Sequence, residues 1–188
     1  WQVYLHKTVL AAETMIVNIL KRAKYLALRN KELFCTPALS KFLYQNFTEK
    51  DFREDEKLLE QFALLDDFDI MSSIKVWINH DDKVLSKLCR DFVNRKLFRI
   101  KMDKNSIPKE LVDKERKEMK KKYKLSDEEL EYFVVNTTTA NYAYNTEKDK
   151  INILYKNGQV IDIAEASDNF NIQSLSKPVK KYVLCVSR

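Results

Sequence analysis

A long apolar seam near the start of the chain constrains the fold more than any other feature of the sequence. Apolar residues recur there at alternating spacings of four and three: Leu5, Val9, Ala12, Ile16, Ile19, Ala23 and Leu26. This spacing follows the period of an α-helix. The sequence therefore predicts one long helix that ends near Asn30 and packs its seam against other elements.

Further helices are predicted up to residue 97, because capping residues precede each apolar-periodic segment. Thr36 followed by Pro37 marks one helix start, and Asp66-Asp67 and His80-Asp81-Asp82 mark two others. Side-chain oxygens at such positions accept hydrogen bonds from the first free backbone N–H groups of a helix, and proline suits the first helical position. We also predict one helix between Glu54 and Leu65, with Leu58, Leu59, Phe62 and Leu65 as its apolar face.

The periodicity changes after residue 97. Phe98–Met102 alternates like a strand, a charged helix is predicted over residues 108–124, and Asn157-Gly158 lies between two apolar runs. Asn-Gly in that setting is a strong hairpin signal. We therefore predict an α+β fold, with a mostly helical part over residues 1–97. A small, mainly antiparallel sheet with flanking helices follows over residues 98–188.

Composition narrows the class of ligand. The chain of 188 residues has a net charge of +6, which suits phosphate-bearing ligands. Nucleic acid is not favoured, because no basic face with interleaved aromatic residues is evident. Gly158 is the single glycine, which excludes the Rossmann and P-loop phosphate cradles, because both need several glycines close together.

Cysteine usage and hydropathy indicate the compartment. Cys35, Cys89 and Cys185 are odd in number and far apart, with no CxxC pair. We expect three reduced, buried thiols in a cytoplasmic protein. No apolar run is long enough for a membrane span. The first residue is Trp1 and the seam is already in register at Leu5, so we expect this chain to be part of a longer protein.

A metal site is the first chemistry to weigh, because an adjacent His80-Asp81 pair resembles the core of an HD metal centre. Such a centre needs further imidazole or carboxylate ligands, and the only other histidine is His6. The pair also lies where a helix cap is expected. We therefore predict no metal ligand and no catalytic residue in this chain.

Phosphate binding is the second chemistry. His6 and Lys7 lie at the predicted start of the first helix, where the helix dipole and free N–H groups attract anions. Arg95 and Arg99 are four residues apart at the end of the fifth predicted helix, and two guanidinium groups suit bidentate phosphate contacts. The alternative is that these basic residues serve only the helix ends and solvent.

Several segments resemble, in order, the C-terminal half of HD-domain deoxynucleoside triphosphate triphosphohydrolases. This family includes bacterial HD phosphohydrolases and the animal dNTPase that carries a sterile-alpha motif. The segments are Tyr4-Leu-His-Lys-Thr-Val, Leu65-Asp-Asp ahead of Ile74-Lys-Val-Trp, Asn94-Arg-Lys-Leu-Phe-Arg, Tyr132-Phe-Val-Val, Ile151-Asn-Ile-Leu-Tyr and Lys181-Tyr-Val-Leu-Cys.

The resemblance implies roles for residues of this chain. Tyr4 would approach the substrate sugar, while His6, Lys7, Arg95 and Arg99 would line a nucleotide site between subunits of a homo-oligomer. A divalent metal would be held upstream of Trp1, where metal-bound water would attack the α-phosphorus of a nucleoside triphosphate. Leu5 and Lys96 depart from residues common in the animal enzyme.

Two other functions stay open at the level of sequence. The chain could be a non-catalytic module that binds nucleotides or nucleic acid, or a structural oligomerisation domain. In the first case binding of single-stranded nucleic acid should depend on salt. In the second case Arg95 and Arg99 would be solvated.

Overall fold

The computed structural model describes residues 6–141, 151–163 and 179–188. Helices occupy the first half of this part: α1 Lys7–Ala27, α2 Pro37–Tyr44, α3 Glu49–Glu54, α4 Glu56–Ala63, α5 Asp67–Trp77 and α6 Lys83–Val93. Strands and two more helices follow: β1 Arg99–Asp103, α7 Lys109–Tyr123, α8 Asp127–Leu130, β2 Val134–Asn141, β3 Asn152–Leu154, β4 Val160–Asp162 and β5 Val179–Val186.

Two antiparallel sheets follow the helical half. The larger has the strand order β1-β5-β2, so the last strand lies between the other two. Arg99 of β1 is paired with Val186 of β5. The smaller sheet is the β3–β4 hairpin, which confirms the prediction at Asn157-Gly158. The α+β class is confirmed, and the division at residue 97 stays a prediction.

Most predicted helix starts are confirmed by the hydrogen bonds of their caps. The Thr36 side chain accepts from the Leu39 N–H, with Pro37 in the first turn. Asp66 and Asp82 cap α5 and α6 in the same manner. The helix predicted over Glu54–Leu65 is confirmed as α4, Glu56–Ala63, which starts where the Asp55 side chain accepts from two backbone N–H groups. The short helix α3 directly before it was not predicted.

The apolar face predicted for α4 is partly wrong. Leu58 is fully buried, whereas Leu59 and Phe62 are half-exposed. The Phe62 ring packs edge-on against the rings of Phe42 and Phe52. A short helix that lies at the surface needs to bury only one row of side chains, so a pattern of apolar residues overstates its buried face.

The long first helix is confirmed, but its buried face differs from the predicted seam. The residues of α1 that are buried are Ala11, Met15, Asn18, Ile19, Arg22, Ala23, Leu26 and Ala27. Leu5 lies outside the described residues, and Val9 is exposed. The seam was misplaced because two polar residues belong to the buried face. Asn18 donates to the Tyr132 carbonyl at 2.9 Å, and Arg22 pairs with Asp82.

The core joins α1, α2, α5 and α6 to the larger sheet. Its largest fully buried side chains include Trp77, Phe133, Met15 and Leu184. The Trp77 indole N–H donates to the Phe34 carbonyl at 2.9 Å, so its one polar atom is satisfied. Within the described residues, no helix combines the length and apolar character needed to cross a membrane.

Candidate functional site: a basic cleft between the first helix and the first strand

A cleft of about 400 Å³ lies where the start of α1, the end of α6 and the start of β1 meet. Its lining residues are Lys7, Thr8, Ala11, Arg95, Leu97, Phe98, Arg99, Ile100 and Arg188. We call it the basic cleft. Four cations from three separate stretches of the chain line it, and no Asp or Glu is among the described residues that line it.

The first of these cations, Lys7, is the first residue of α1 and is exposed. His6 is the N-cap of the helix, and its Nδ1 accepts a hydrogen bond from the Thr8 N–H at 3.2 Å. His6 itself is not among the residues that line the basic cleft. The structure therefore places Lys7 in the cleft and gives His6 a capping role beside it.

Arg95 lines the cleft and has a left-handed backbone conformation. Lys96 N–H donates to the Asp91 carbonyl at 2.8 Å, and Arg95 N–H donates to the Phe92 carbonyl at 3.0 Å. These two bonds form a Schellman motif that ends α6. Arg95 occupies its left-handed position, with φ at 58°, where glycine is usually found. A long cationic side chain therefore stands at a position where the backbone favours glycine.

Arg99 is held by a buried carboxylate. Its Nη2 lies 2.8 Å from Oε2 of Glu115, whose side chain is 6% exposed, and Lys101 Nζ lies 3.6 Å from Oε1. A guanidinium has five N–H donors, so the contact with Glu115 leaves donors of Arg99 for a ligand. Because Glu115 comes from α7, that helix orients Arg99 at the cleft.

Arg188 is a residue of the cleft that sequence reasoning missed. It follows β5 by two residues, and β5 pairs with β1 so that Val186 lies opposite Arg99. The Tyr123 hydroxyl donates to the Arg188 carbonyl at 2.5 Å, which fixes the backbone there. Only the strand order, with the last strand beside the first, brings Arg188 to Arg95 and Arg99. The one signal in the sequence was a basic residue two positions after an apolar strand.

The His80-Asp81-Asp82 segment is a helix cap, as the sequence predicted. Asp82 accepts from the Leu85 N–H at 2.8 Å, and His80 Nδ1 accepts from the Asp82 N–H at 2.9 Å. Within the described residues, no group of three or more His, Cys, Asp or Glu side chains could hold a metal ion. The described residues therefore do not fit a divalent metal, which the family resemblance places upstream of Trp1. Tyr4 lies outside the described residues.

The ionised side chain of Asp82 stabilises the start of α6. Burial opposes ionisation of this carboxyl, but hydrogen bonds from Arg22 and the Leu85 N–H, with the nearby charge of Arg22, lower its pKa below the ordinary value. The carboxylate is therefore ionised when it caps α6. Arg95 follows the other end of the same helix.

Parts of known proteins are similar to this chain in sequence and in structure. No family model matches the chain. The Bacillus subtilis protein YwfO is 27% identical over 175 residues, which is 89% of this chain and 37% of that protein. The solved structure of a phosphohydrolase from Bacteroides thetaiotaomicron is 42% identical and superposes with a TM-score of 0.81.

That alignment covers 100% of this chain and 47% of the phosphohydrolase. The chain thus spans less than half the length of each of these two proteins. Over its whole length, it shares the fold of part of a phosphohydrolase.

Proposed function

We propose that this chain is the nucleotide-binding, C-terminal part of a phosphohydrolase that acts on nucleoside triphosphates. The observation that carries the proposal is the convergence of Lys7, Arg95, Arg99 and Arg188 on one cleft. The 42% identity to a phosphohydrolase supports the reaction class. The order of family-like segments in the sequence supports the nucleotide substrate.

The composition of the basic cleft suits a triphosphate. Three arginines can each offer two parallel N–H donors to phosphate oxygens, and Lys7 adds a mobile point charge. Lys7 also begins α1, a helix of 21 residues, whose dipole favours an anion at this end. Phe98 and Leu97 supply apolar surface next to these charges. Such a site would recognise the phosphates of a nucleotide more strongly than its base.

The free charge of Arg95 supports a binding role for this side chain. Arg95 has no carboxylate partner among the ion pairs of the described residues. Its charge is therefore available to a ligand.

We assign no chemical step to the described residues, because they offer no metal cluster and no activated nucleophile. In this proposal the divalent metal and the hydrolytic residues belong to a longer protein, which is cytoplasmic and a homo-oligomer. The part described here closes the substrate pocket, binds phosphates and contributes contacts between subunits. Tyr4 would contact the substrate sugar.

The experiment compares a full-length protein with the chain of residues 1–188. Each is incubated with dGTP, dATP or GTP and a divalent metal, and the released phosphates are separated by anion-exchange chromatography. We expect triphosphate as the product of the full-length protein, loss of activity with EDTA, and no hydrolysis by the chain alone. Hydrolysis by the chain alone at the full-length rate, abolished by EDTA, would overturn the assignment.

A second candidate is a non-catalytic module that binds nucleotides. It is favoured by the fact that the four cations of the basic cleft all come from this chain, so binding needs no other segment. A full-length protein that binds dGTP at this cleft but releases no product with any divalent metal would favour this candidate.

A further inference from the structure

The basic cleft is not isolated on the surface. On one side it shares Arg99 and Arg188 with a cleft of about 700 Å³ along α7. On the other side it shares Lys7 with a cleft of about 490 Å³ beside the end of β1. We call these three adjoining clefts the basic strip. It extends well beyond the four cations assigned above to a nucleotide.

Cations line the basic strip along its whole length. The α7 cleft adds Lys121 and Lys122, and the cleft beside β1 adds Lys104 and Lys181. Two carboxylates also line the strip. Asp103 accepts from the Asn105 N–H at 2.8 Å, and Glu118 lies 4.0 Å from Lys114. Eight Lys and Arg residues line the strip against these two carboxylates. The strip therefore presents a continuous excess of positive charge.

A buried hydroxyl in the α7 cleft also points to a ligand. Ser187 is 1% exposed and lines this cleft. Its backbone N–H donates to the Phe133 carbonyl at 2.9 Å, but its Oγ has no hydrogen-bond partner among the described residues. Buried hydroxyls are rarely left without a partner. A phosphate oxygen in the α7 cleft would accept a hydrogen bond from the Ser187 hydroxyl.

The side chains that line the strip decide between two kinds of polyanion. Proteins that bind single-stranded nucleic acid combine basic grooves with aromatic side chains on which bases stack. Among the described residues that line the three clefts, Phe98 is the one aromatic, and it is 4% exposed. The strip thus offers charges at intervals but no stacking surface. This combination fits a chain of phosphates without bases.

We propose that the basic strip binds linear inorganic polyphosphate. Such a chain would enter the basic cleft, where the phosphates of a nucleotide also bind, and continue along α7 over Lys121 and Lys122. The proposal goes beyond the proposed function, since hydrolysis of nucleotides needs only the central cleft. It also predicts that polyphosphate competes with nucleoside triphosphates for Arg95 and Lys7.

The test measures binding to the full-length protein by isothermal titration calorimetry. The probes are long-chain linear polyphosphate, tripolyphosphate and a single-stranded oligothymidylate. We expect polyphosphate to bind roughly tenfold tighter than tripolyphosphate, because it engages flanking cations at high effective concentration. A Lys121→Gln, Lys122→Gln variant should lose most of this difference, and the slope of affinity against salt should fall by about two.

The matched control is Lys109→Gln, Lys117→Gln, which removes the same charge from exposed positions of α7 outside the strip. It should bind all probes as the unmodified protein does, and circular dichroism checks that both variants are folded. Equal affinity for polyphosphate and tripolyphosphate, or unchanged polyphosphate affinity in the Lys121, Lys122 variant, overturns the proposal. Oligothymidylate binding as tight as polyphosphate also overturns it.

The titrations distinguish an error in the polyphosphate proposal from an error in the proposed nucleotide function. The Lys121, Lys122 variant should bind tripolyphosphate and dGTP normally, because both fit in the basic cleft. If dGTP does not bind but polyphosphate binds and loses affinity in the Lys121, Lys122 variant, the proposed nucleotide function is wrong. The proposal that the basic strip binds polyphosphate is then still supported.

Discussion

Arg22 and Asp82 form a two-point contact between the middle of α1 and the start of α6. Arg22 Nε donates to Oδ1 at 3.0 Å and Nη2 to Oδ2 at 2.6 Å, and the two side chains are 10% and 14% exposed. The guanidinium also lies 4.9 Å and 5.3 Å from the ring centroids of Tyr25 and Tyr132. One buried arginine thus joins α1, the cap of α6 and the turn before β2.

Removing the charge of Asp82 should destabilise the fold strongly. Asp82→Asn leaves the buried Arg22 without its counter-charge, and breaking a buried pair in this manner costs about 3 kcal/mol or more. Urea unfolding of both proteins measures the difference. Asp81→Asn is the control, since Asp81 is exposed and adjacent, and it should change stability little. A similar small effect in both variants would show that the pair contributes nothing.

The same pair predicts how stability depends on pH. Because the folded state lowers the pKa of Asp82, the contribution of its ionised form is complete above the ordinary carboxyl pKa. It is lost as pH falls through the lowered value. The difference in unfolding free energy between the unmodified protein and Asp82→Asn should be constant near neutral pH and shrink below about pH 4. A difference that is independent of pH down to acid unfolding contradicts this account.

Arg95→Gly should raise the stability of the protein and lower its affinity for dGTP. Glycine relieves the left-handed backbone at the end of α6, so the variant should gain about 0.5 to 1 kcal/mol in stability. It should also bind dGTP more weakly. Lys124→Gly is the matched control, because Lys124 ends α7 with φ at 52° and lines none of the clefts of the basic strip.

We expect Lys124→Gly to gain similar stability without any change in dGTP affinity. Thermal unfolding and calorimetry on both variants provide the two measurements. Arg95→Gly with unchanged dGTP affinity would remove Arg95 from the proposed site.

The three cysteines should differ in how fast they react with a thiol reagent. Burial raises the pKa of Cys89 to about 12 and also raises the pKa of Cys185, and the thiolate is the reactive form. Cys35 is half-buried. Iodoacetamide on the folded protein at neutral pH should therefore modify Cys35 first, with Cys89 and Cys185 modified only after unfolding. Mass spectrometry of the labelled peptides tests this, and early labelling of Cys89 contradicts the packing described.

Local features were predictable from sequence because their causes lie within a few residues. The Thr36-Pro37 start, the Asp82 cap and the Asn157-Gly158 turn each depend on bonds between near neighbours. The buried face of α1 was not predictable, since Arg22 is buried only because Asp82, sixty residues later, neutralises it. Polar residues on a buried face break the apolar pattern that a sequence shows.

The basic cleft was predictable in part. Lys7, Arg95 and Arg99 were chosen for their chemistry at helix ends, and the structure brings all three together. His6 lies beside them as a cap. Arg188 could not be assigned, because its place depends on β5 inserting between β1 and β2. A pairing between the end of the chain and residue 99 leaves no local mark in the sequence.

Calorimetric titration of dGTP tests the central claim, that the basic cleft binds nucleotide phosphates. The proteins compared are the unmodified full-length form, a Lys7→Gln, Arg95→Gln variant, and a control, Arg53→Gln, Lys57→Gln. The control removes equal charge at exposed positions of α3 and α4. We predict that the first variant weakens dGTP binding at least about tenfold, because each charge-assisted contact contributes about 1.5 kcal/mol or more. The control should bind dGTP as the unmodified protein does. Equal dGTP affinity in all three proteins would contradict the account.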